Sequence, residues 1–405
     1  MRAVFLSPGY PAEMTHFVRG LAEVGVAVYG VGDTPRDSLP GHLKPYLADY
    51  LTVPRMLDEH DVANRVSDWM RGRTVDRVLT NWEPCVLLAA RLRERWGMPG
   101  MSVDTVMGFR DKELMKTRLR AAGLRVPKSR RVHNASEVRE AAEEIGYPLI
   151  LKPIGGAGCA DTYKVTSAAD LESTLPALGK LSEASCEEYI EGEELTYDTV
   201  CMRGKPMIEN VTLYVPKPLE AATQEWVSPM AISIRDLTQP KLAGGLALGR
   251  AALEVLGMDD GFTHMEWFLT PSGEAVFGEI ACRAGGAGLV DQINYTCDID
   301  LYREWARVSC WGYFEASTVR KYNVGMIFKR ARGWGHVTRI EGLRDWLHAC
   351  GGWVVEEKLS RPGTPRRDWK QAQLADGRLI VRHPEWDQVM RMCVSAASDI
   401  QIHAQ

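Results

Sequence analysis

Residues 261–288 combine two short β-type segments, a turn and a glycine-rich loop. The segments 262–269 and 275–279 flank the sequence Thr-Pro-Ser-Gly-Glu, in which Pro, Ser and Gly are turn-forming residues. This pattern predicts a β-hairpin.

Two glutamates of the predicted hairpin indicate a metal site. If the strands fold symmetrically about the Ser-Gly pair of the turn, Glu266 and Glu279 lie opposite each other, with Cβ atoms roughly 5 Å apart. Facing carboxylates repel, and Mg²⁺ would relieve the repulsion because it takes oxygen ligands and is often shared with substrate phosphates. Arg283 and the loop 284–288 follow directly. The first hypothesis is therefore phosphate chemistry, and the alternative is an amphipathic hairpin with two solvated glutamates.

The composition is that of an ordinary globular protein. The chain has 405 residues, enough for two or three domains, and a net charge of −4. This charge gives no basic excess for binding nucleic acid, and no apolar segment is long enough to predict a membrane span. The nine cysteines are scattered and form no C-x-x-C pair, which predicts reduced thiols and a cytoplasmic location.

The first 105 residues predict a Rossmann-like domain. The pattern is strand, helix and strand, then strand and helix again, at 2–6, 13–24, 26–31, 77–80 and 83–96. No G-x-G-x-x-G follows the first strand, so dinucleotide binding has no support. Asn81 and Glu83 follow the end of a strand, where parallel sheets bind ligands. Helix capping is the alternative role for these two side chains.

Lys112 lies at the start of another predicted helix. Asp111 is in a good N-cap position, and the helix is predicted to end at Gly123. The helix dipole disfavours a cation in the first turn unless an anion is nearby. The position of Lys112 therefore indicates a nearby anion, and the alternative is a solvated lysine.

Lys152 lies inside the apolar strand 149–153, directly before a glycine-rich loop. A buried ammonium group costs free energy unless it has a partner. The loop supplies unhindered N–H groups for an anion, from Gly155, Gly156, Ala157 and Gly158. This is not the P-loop pattern, because the lysine precedes the glycines. We interpret the lysine and the loop as a binding site for a triphosphate.

Residues 185–199 have the composition of a linker that can bind adenine. Tyr189 and Ile190 lie between acidic residues, before a glycine turn and a β-type segment. The backbone of such a linker can bind the adenine edge, while its carboxylates accept from the amine and the ribose hydroxyls. The alternative is an acidic surface turn. Farther along, the loop that carries Trp226 is a candidate cover of the site.

These motifs, in this order, resemble those of ATP-grasp enzymes. The resemblance is to the branch that contains L-amino-acid ligases and the carboxylases related to carbamoyl phosphate synthetase. The motifs are TNWEP followed by GMPG, DK followed by AGLRVP, PLILKP followed by GGAG, EEYIEGEE, and the paired glutamates. They cover about residues 75–290, and the domain order extends the resemblance to the whole chain.

The resemblance implies an α/β and α+β fold, the ATP-grasp fold, in three parts. These are a Rossmann-like pre-ATP-grasp domain (1–105), an ATP-grasp domain (106–311) with a lid (about 129–190) and a catalytic subdomain (about 191–311), and a C-terminal α+β extension (312–405). The extension would pack on the core and partly close the site. Its own pattern predicts hairpins and one helix near 384–397.

The resemblance also implies a set of nucleotide ligands. They are Lys112, Lys152 and the loop 155–160 for the phosphates, Glu187 with the backbone of Glu188 and Ile190 for adenine, and Glu194 for the ribose. Glu266 and Glu279 would bind Mg²⁺ or Mn²⁺ between the phosphates. Arg283 would stabilise the acyl phosphate and the oxyanion of the tetrahedral intermediate. Many relatives have an asparagine as a further metal ligand where this chain has Ala281, so the number of metal ions, one or two, is open.

Substrate residues have weaker signals. His264 lies two residues before Glu266 and so shares its strand face, although a hydrogen-bonded structural histidine is the alternative. The other candidates are Trp226, Gly285, Gly286 and Glu83.

The predicted function is an ATP-dependent ligase that joins a carboxylate to an amine through an acyl phosphate, with release of ADP and phosphate. The substrates would be amino acids or similar small molecules, and neither nucleic acid nor membrane is an expected partner. Homodimers are common among the relatives that the chain resembles. Two alternatives are a biotin-carboxylase-like enzyme that activates bicarbonate and a non-catalytic ATP-binding regulatory protein.

Overall fold

The computed structural model describes residues 1–154, 161–178, 183–369 and 375–405. Within these ranges the strands form four sheets, and helices pack on them in an α/β and α+β arrangement. The glycine loop predicted to bind phosphate, 155–158, lies outside the described residues. None of the described helices has both the length and the apolar character needed to cross a membrane.

The N-terminal part of the chain alternates strands and helices. Its elements are β1 (Arg2–Leu6), α1 (Met14–Glu23), β2 (Ala27–Gly32), β3 (Leu47–Thr52), α2 (Glu59–Trp69), β4 (Arg77–Leu79) and α3 (Val86–Trp96). The strands are parallel, in the order β3-β2-β1-β4. Ala3, Val4, Phe5 and Leu6 are fully buried, as in a parallel sheet covered on both faces. The Rossmann-like start of the chain is therefore confirmed.

Two helices lead into a small antiparallel sheet. The elements are α4 (Val103–Arg110), α5 (Lys112–Ala121), β5 (Ser129–Val132), α6 (Ala135–Ile145), β6 (Leu149–Pro153), β7 (Tyr163–Val165), α7 (Ala168–Leu178) and β8 (Ala184–Glu188). The strand order is β5-β8-β6-β7. The side chain of Asp111 accepts from the N–H groups of Glu113 and Leu114 and so caps α5 as predicted. This cap fixes Lys112 in the first turn.

The central sheet begins with a long antiparallel pair of strands. The elements are β9 (Glu193–Met202), β10 (Lys205–Val215), α8 (Pro218–Ala221), β11 (Met230–Ser233), α9 (Ala243–Leu256), β12 (Gly261–Leu269), β13 (Ala275–Ala281), α10 (Leu289–Cys297) and α11 (Leu301–Trp311). Helix α9 packs on one face of this sheet. The helix lies so close to the sheet that a Cβ at Gly245 would be 2.3 Å from Trp267 and one at Gly249 would be 2.4 Å from Tyr197. Glycine at these two positions permits this approach.

The C-terminal part extends the central sheet. Its elements are β14 (Asn323–Phe328), β15 (Arg332–Gly333), β16 (Val337–Glu341), α12 (Leu343–Cys350), β17 (Val354–Leu359), β18 (Gly377–His383), α13 (Trp386–Asp399) and β19 (Gln401–Ala404). Strands β14, β18 and β17 complete an eight-stranded order, β13-β12-β9-β10-β11-β14-β18-β17. Strands β15, β19 and β16 form a smaller sheet.

The C-terminal part contains a helix that was not predicted from the sequence. Helix α13 is present near the predicted position, but α12 was not predicted. Helix α12 has only eight residues and follows directly on a strand, so its helical period is short. Its signal is the buried pair Trp346 and Cys350, four residues apart.

Candidate active site

The hairpin pairs its two glutamates as predicted, although the register is not uniform. Near the turn Trp267 pairs with Phe277, and one step farther Glu266 pairs with Glu279. Gly278 is the extra residue between these pairs and forms a β-bulge. Without the bulge, Glu279 would point to the opposite face of the sheet. The symmetric pairing predicted from the turn is therefore right for the glutamates only because of the bulge.

The glutamates belong to a polar face of the central sheet. Residues that lie opposite each other on neighbouring strands share a face. The buried polar residues that share this face are Glu194, Thr196, Asp198, Asn210, Thr212, Ser233 and His264. The other face is mostly apolar and packs against α9.

Two lysines from other elements reach Glu279. The Nζ of Lys112, on α5, lies 3.0 Å from Glu279 Oε2, and the Nζ of Lys152, on β6, lies 3.9 Å from the same oxygen. Burial would raise the pKa of Glu279, but the charges of the two lysines lower it to about 2. The structure thus brings together a predicted metal ligand and both predicted phosphate ligands.

A third lysine, Lys116, was not predicted for the site. It is fully buried and pairs with Glu187, whose second oxygen lies 3.0 Å from Lys152 Nζ. Burial would raise the pKa of Glu187, but Lys116 and Lys152 lower it to about 2. Lys116 is one helical turn after Lys112, and this spacing is the signal that could have identified it.

The linker predicted to bind adenine follows β8. Both carboxylate oxygens of Glu187, the residue that the resemblance assigns to the adenine amine, contact lysines in this structure. The side chain of Glu188 is held in an ion pair, and Ile190 is buried. Glu194 is 7% exposed, and burial, with the nearby charge of Glu266, raises its pKa to about 8.

Arg283, at the end of the hairpin, lies against Glu83. Its Nε donates to Glu83 Oε2 at 2.6 Å, and Arg110 donates to the other oxygen of the same carboxylate. Burial would raise the pKa of Glu83, but the two arginines lower it. Asn81 accepts from the N–H of Ala284 at 3.3 Å. The loop after β4 thus contacts the loop after the hairpin through both residues singled out in the sequence.

His264 forms a buried pair with Asp198. The two residues lie opposite each other on β12 and β9, with His264 Nδ1 2.6 Å from Asp198 Oδ1. His264 Nε2 lies 3.7 Å from Glu266 Oε1. Burial would lower the pKa of His264, but Asp198 raises it to about 9. Asp198 was not predicted, although its spacing of four from Glu194 along a strand indicates a shared face.

The loop that follows Arg283 comes close to this pair. A Cβ at Gly285 would lie 3.0 Å from His264 Nδ1 and 3.2 Å from Asp198 Oδ1. The carbonyl of Gly286 accepts from the N–H of Leu289, at the start of α10. Glycine at position 285 therefore permits the loop to approach the polar face.

Trp226 has a different environment. It is 51% exposed, and the guanidinium carbon of Arg366 lies 5.4 Å from its ring centroid. Across the described residues, no hydrogen bond, ion pair or ring contact connects Trp226 with the hairpin. The structure thus does not bring Trp226 together with the other candidate substrate residues.

Comparisons with known proteins agree with this fold. The family described as "ATP-grasp domain" matches residues 109–217. The L-amino acid ligase of Bacillus licheniformis has a TM-score of 0.81 at 18% identity, with 100% of this chain and 98% of that one covered. The biotin carboxylase domain dimer of the Hydrogenobacter thermophilus 2-oxoglutarate carboxylase, a complex with MgADP, ADP and bicarbonate, has a TM-score of 0.71 at 18% identity, with 99% and 91% covered. The predicted ATP-grasp fold is confirmed.

Within this class the sequence is similar to amino-acid ligases. The L-arginine-specific L-amino acid ligase of Bacillus subtilis is 29% identical over 243 residues, 58% of this chain and 58% of the relative. The alanine–anticapsin ligase of Bacillus subtilis is 26% identical over 260 residues, 59% of this chain and 54% of the relative. The chain therefore spans little more than half the length of these relatives.

Proposed function

We propose that this chain is an ATP-grasp ligase that joins a carboxylate to an amine through an acyl phosphate, with release of ADP and phosphate. The substrates would be amino acids or similar small molecules, as the names of the relatives suggest. One observation carries the proposal. Glu266 and Glu279 face each other, while Lys112 and Lys152 reach the second carboxylate. Paired carboxylates beside paired ammonium groups suit a triphosphate with its metal ion.

Glu266 and Glu279 would hold Mg²⁺, for which Mn²⁺ can substitute. Both residues offer the hard oxygen donors that these ions take. The described part of the chain contains no group of three or more His, Cys, Asp or Glu side chains arranged to hold a metal, so phosphate oxygens would supply further ligands. Ala281 adds no donor. When bound, the ion would neutralise charge on the transferred phosphoryl group.

The lysines would bind the phosphates. Lys112 and Lys152 are paired with carboxylates, and the phosphate oxygens of ATP would replace or share these partners. Glu187 would position Lys152 rather than bind the adenine amine. The backbone of 188–190 would bind the adenine edge, and Glu194 would hold the ribose hydroxyls.

Arg283 would stabilise the acyl phosphate and the oxyanion that forms when the amine attacks. Its Nε is held by Glu83, so the plane of the guanidinium is set before the substrate binds. A donor that needs no reorganisation is worth more in the transition state than a mobile one. His264, Gly285 and Gly286 would line the substrate side of the site. The contact of Trp226 with Arg366 gives Trp226 no support as a substrate residue.

We further propose that the protein acts in the cytoplasm as a homodimer on small-molecule substrates. The cysteines support a reducing compartment, because the eight in the described ranges are free thiols. The dimeric neighbour supports the oligomeric state.

The experiment measures phosphate release from Mg-ATP with amino acids and small amines, singly and in pairs, with mass spectrometry of each positive reaction. We expect release only with two substrates, and a product whose mass is their sum less water. The variant Glu279→Gln should lose the product and keep its fold. The matched control is Glu274→Gln, in the turn of the same hairpin, where the side chain is 51% exposed. This control should keep full activity.

Two results would contradict the ligase. Phosphate release that requires bicarbonate and no amine would support the carboxylase alternative. Nucleotide binding without turnover under every condition would support a regulatory protein.

A further inference from the structure

Asp198 has no role in the reaction as proposed so far, and its partner His264 has only been placed on the substrate side of the site. We propose that the pair positions the carboxylate of Glu266 for the metal ion, so that His264 is a positioning residue rather than a metal ligand. The inference rests on the proposed function, because it takes Glu266 as a metal ligand. It goes beyond that function, because it gives Asp198 and His264, which do not bind the ion themselves, a role in the affinity of the site for the ion.

The carboxylate of Asp198 is held by a contact other than the one with His264. Asp198 is 2% exposed, and its Oδ2 accepts from the hydroxyl of Thr196 at 2.5 Å. Its Oδ1 lies 2.6 Å from His264 Nδ1. An ionised carboxylate can only accept, so Nδ1 carries the proton of this contact. The aspartate therefore sets the orientation of the imidazole ring.

The oriented ring faces Glu266. His264 Nε2 lies 3.7 Å from Glu266 Oε1, beyond direct hydrogen-bond distance but close enough to limit the positions of the carboxylate. Glu279 has a separate restraint, because Lys112 Nζ lies 3.0 Å from it. Among the described residues, His264 is the one side chain within hydrogen-bond or ion-pair distance of the Glu266 carboxylate. The geometry of this carboxylate thus depends on the ring.

The pair also supports the loop that follows Arg283. A Cβ at Gly285 would lie 3.0 Å from His264 Nδ1 and 3.2 Å from Asp198 Oδ1. The pair is therefore close both to Glu266 and to this loop. Residues that orient a metal ligand in this way usually change metal affinity by about 10–100-fold when they are replaced.

The experiment measures the binding of Mn²⁺ to the full chain in the presence of ADP, by electron paramagnetic resonance, and the binding of ADP alone with a chelator present. Two replacements of His264 test its two ring nitrogens separately. In His264→Asn the amide nitrogen takes the place of Nδ1, which contacts Asp198, and nothing takes the place of Nε2. In His264→Gln the amide nitrogen takes the place of Nε2, which faces Glu266. We expect Asp198→Asn and His264→Asn to weaken Mn²⁺ binding about tenfold, and His264→Gln to restore most of it. Binding of ADP alone should change less than about twofold.

The matched control is Thr199→Val, next to Asp198 on the same strand. Thr199 forms a buried hydroxyl pair with Thr263 at 2.6 Å on the other face of the sheet. The variant Thr199→Val should change the unfolding midpoint without changing the affinity for Mn²⁺. If Asp198→Asn and Thr199→Val behave alike, or if His264→Gln is no better than His264→Asn, the pair is structural and the inference is wrong.

Failure of the proposed function is distinguishable, because Mn²⁺ binding requires no turnover. A wild-type protein that binds Mn²⁺ with ADP but forms no product would contradict the ligase alone. A wild-type protein that binds no Mn²⁺ with ADP would overturn this inference.

Discussion

The two faces of the hairpin formed by β12 and β13 come from alternate residues of the same strands, yet their physical chemistry is opposite. On one face Trp267 and Phe277 are fully buried in the cluster that includes α9, where apolar area and close packing stabilise the fold. On the other face Glu266 and Glu279 lie opposite each other, with 28% and 29% of their side chains exposed. The apolar face thus holds like charges in a register that they would not adopt by themselves.

A single extra residue in β13 places Glu279 on the same face as Glu266. Gly278 is the extra residue of the bulge, and a Cβ there would lie 2.7 Å from the carbonyl oxygen of Glu266. Alternation alone would turn Glu279 toward the core. The site therefore depends on an irregularity in the sheet as much as on its regular pattern.

Insertion of a second glycine after Gly278 should have the largest effect, because it damages both faces. It would move Glu279 to the position opposite Met265, on the apolar face, where an uncompensated buried charge should lower the free energy of unfolding by about 4 kcal/mol or more. Chemical denaturation and Mn²⁺ binding with ADP measure the two losses. A stable insertion variant that still binds Mn²⁺ would show that the number of residues in the bulge does not set the faces.

Replacement of the core tryptophan should damage only the apolar face. Trp267 is fully buried, so Trp267→Ala should lower the free energy of unfolding by about 3–5 kcal/mol. The matched control is Trp226→Ala, at a tryptophan that is 51% exposed, for which we expect a loss below about 1 kcal/mol. Chemical denaturation measures both. In the folded fraction, ADP affinity should stay within about twofold of the wild type if the faces are energetically separate; a larger change would link them.

The polar face should make stability depend on pH. Glu194 has a pKa of about 8 in the fold, raised by burial and by the charge of Glu266, so the native carboxyl keeps its proton at a pH where the unfolded one has lost it. Stability from this group is complete below its ordinary value near 4.5 and is lost as the pH rises toward 8.

We expect the wild type to lose about 2 kcal/mol more than Glu194→Gln between pH 5 and pH 8.5, since the shift is partly shared with Glu266. His264 also has a raised pKa, but it titrates in both proteins, and the difference between them removes its contribution. Equal pH dependence of the denaturation midpoints in the two proteins would contradict the burial of an uncharged Glu194.

The sequence predicted this site unevenly, for physical reasons. Glu266 and Glu279 were singled out because a symmetric hairpin places them opposite each other, and Lys112 and Lys152 because a cation in the first turn of a helix or in an apolar strand needs a partner. The pairing of Glu187 with Lys116 and the pairing of Asp198 with His264 join segments far apart in the chain, and local pattern carries no information about such pairs.

The fold shows the same division. The alternation of strands and helices in the first 105 residues was readable because each element has its own period. The joining of β14, β17 and β18 to the central sheet was not, because edge pairing between distant strands leaves no local signal. The bulge at Gly278 is similar: a glycine in a strand suggests a bulge, but the register that results depends on the partner strand.

The smallest expected effect is a gain in stability from the loss of a site residue. Glu266 faces Glu279 and raises the pKa of Glu194, while it attracts Lys152, Arg283 and His264, so we expect only a small net repulsion when no metal ion is bound. Glu266→Gln should raise the free energy of unfolding of the metal-free protein by about 0.5 kcal/mol, more at pH 8.5 than at pH 5.5, because Glu194 is charged only at the higher pH. The same variant should lose Mn²⁺ binding with ADP. Chemical denaturation in the presence of a chelator measures the first effect, and electron paramagnetic resonance measures the second. A variant that is less stable than the wild type at both pH values would show that the attraction between Glu266 and His264 exceeds the repulsion, and that the polar face is stable without its ion.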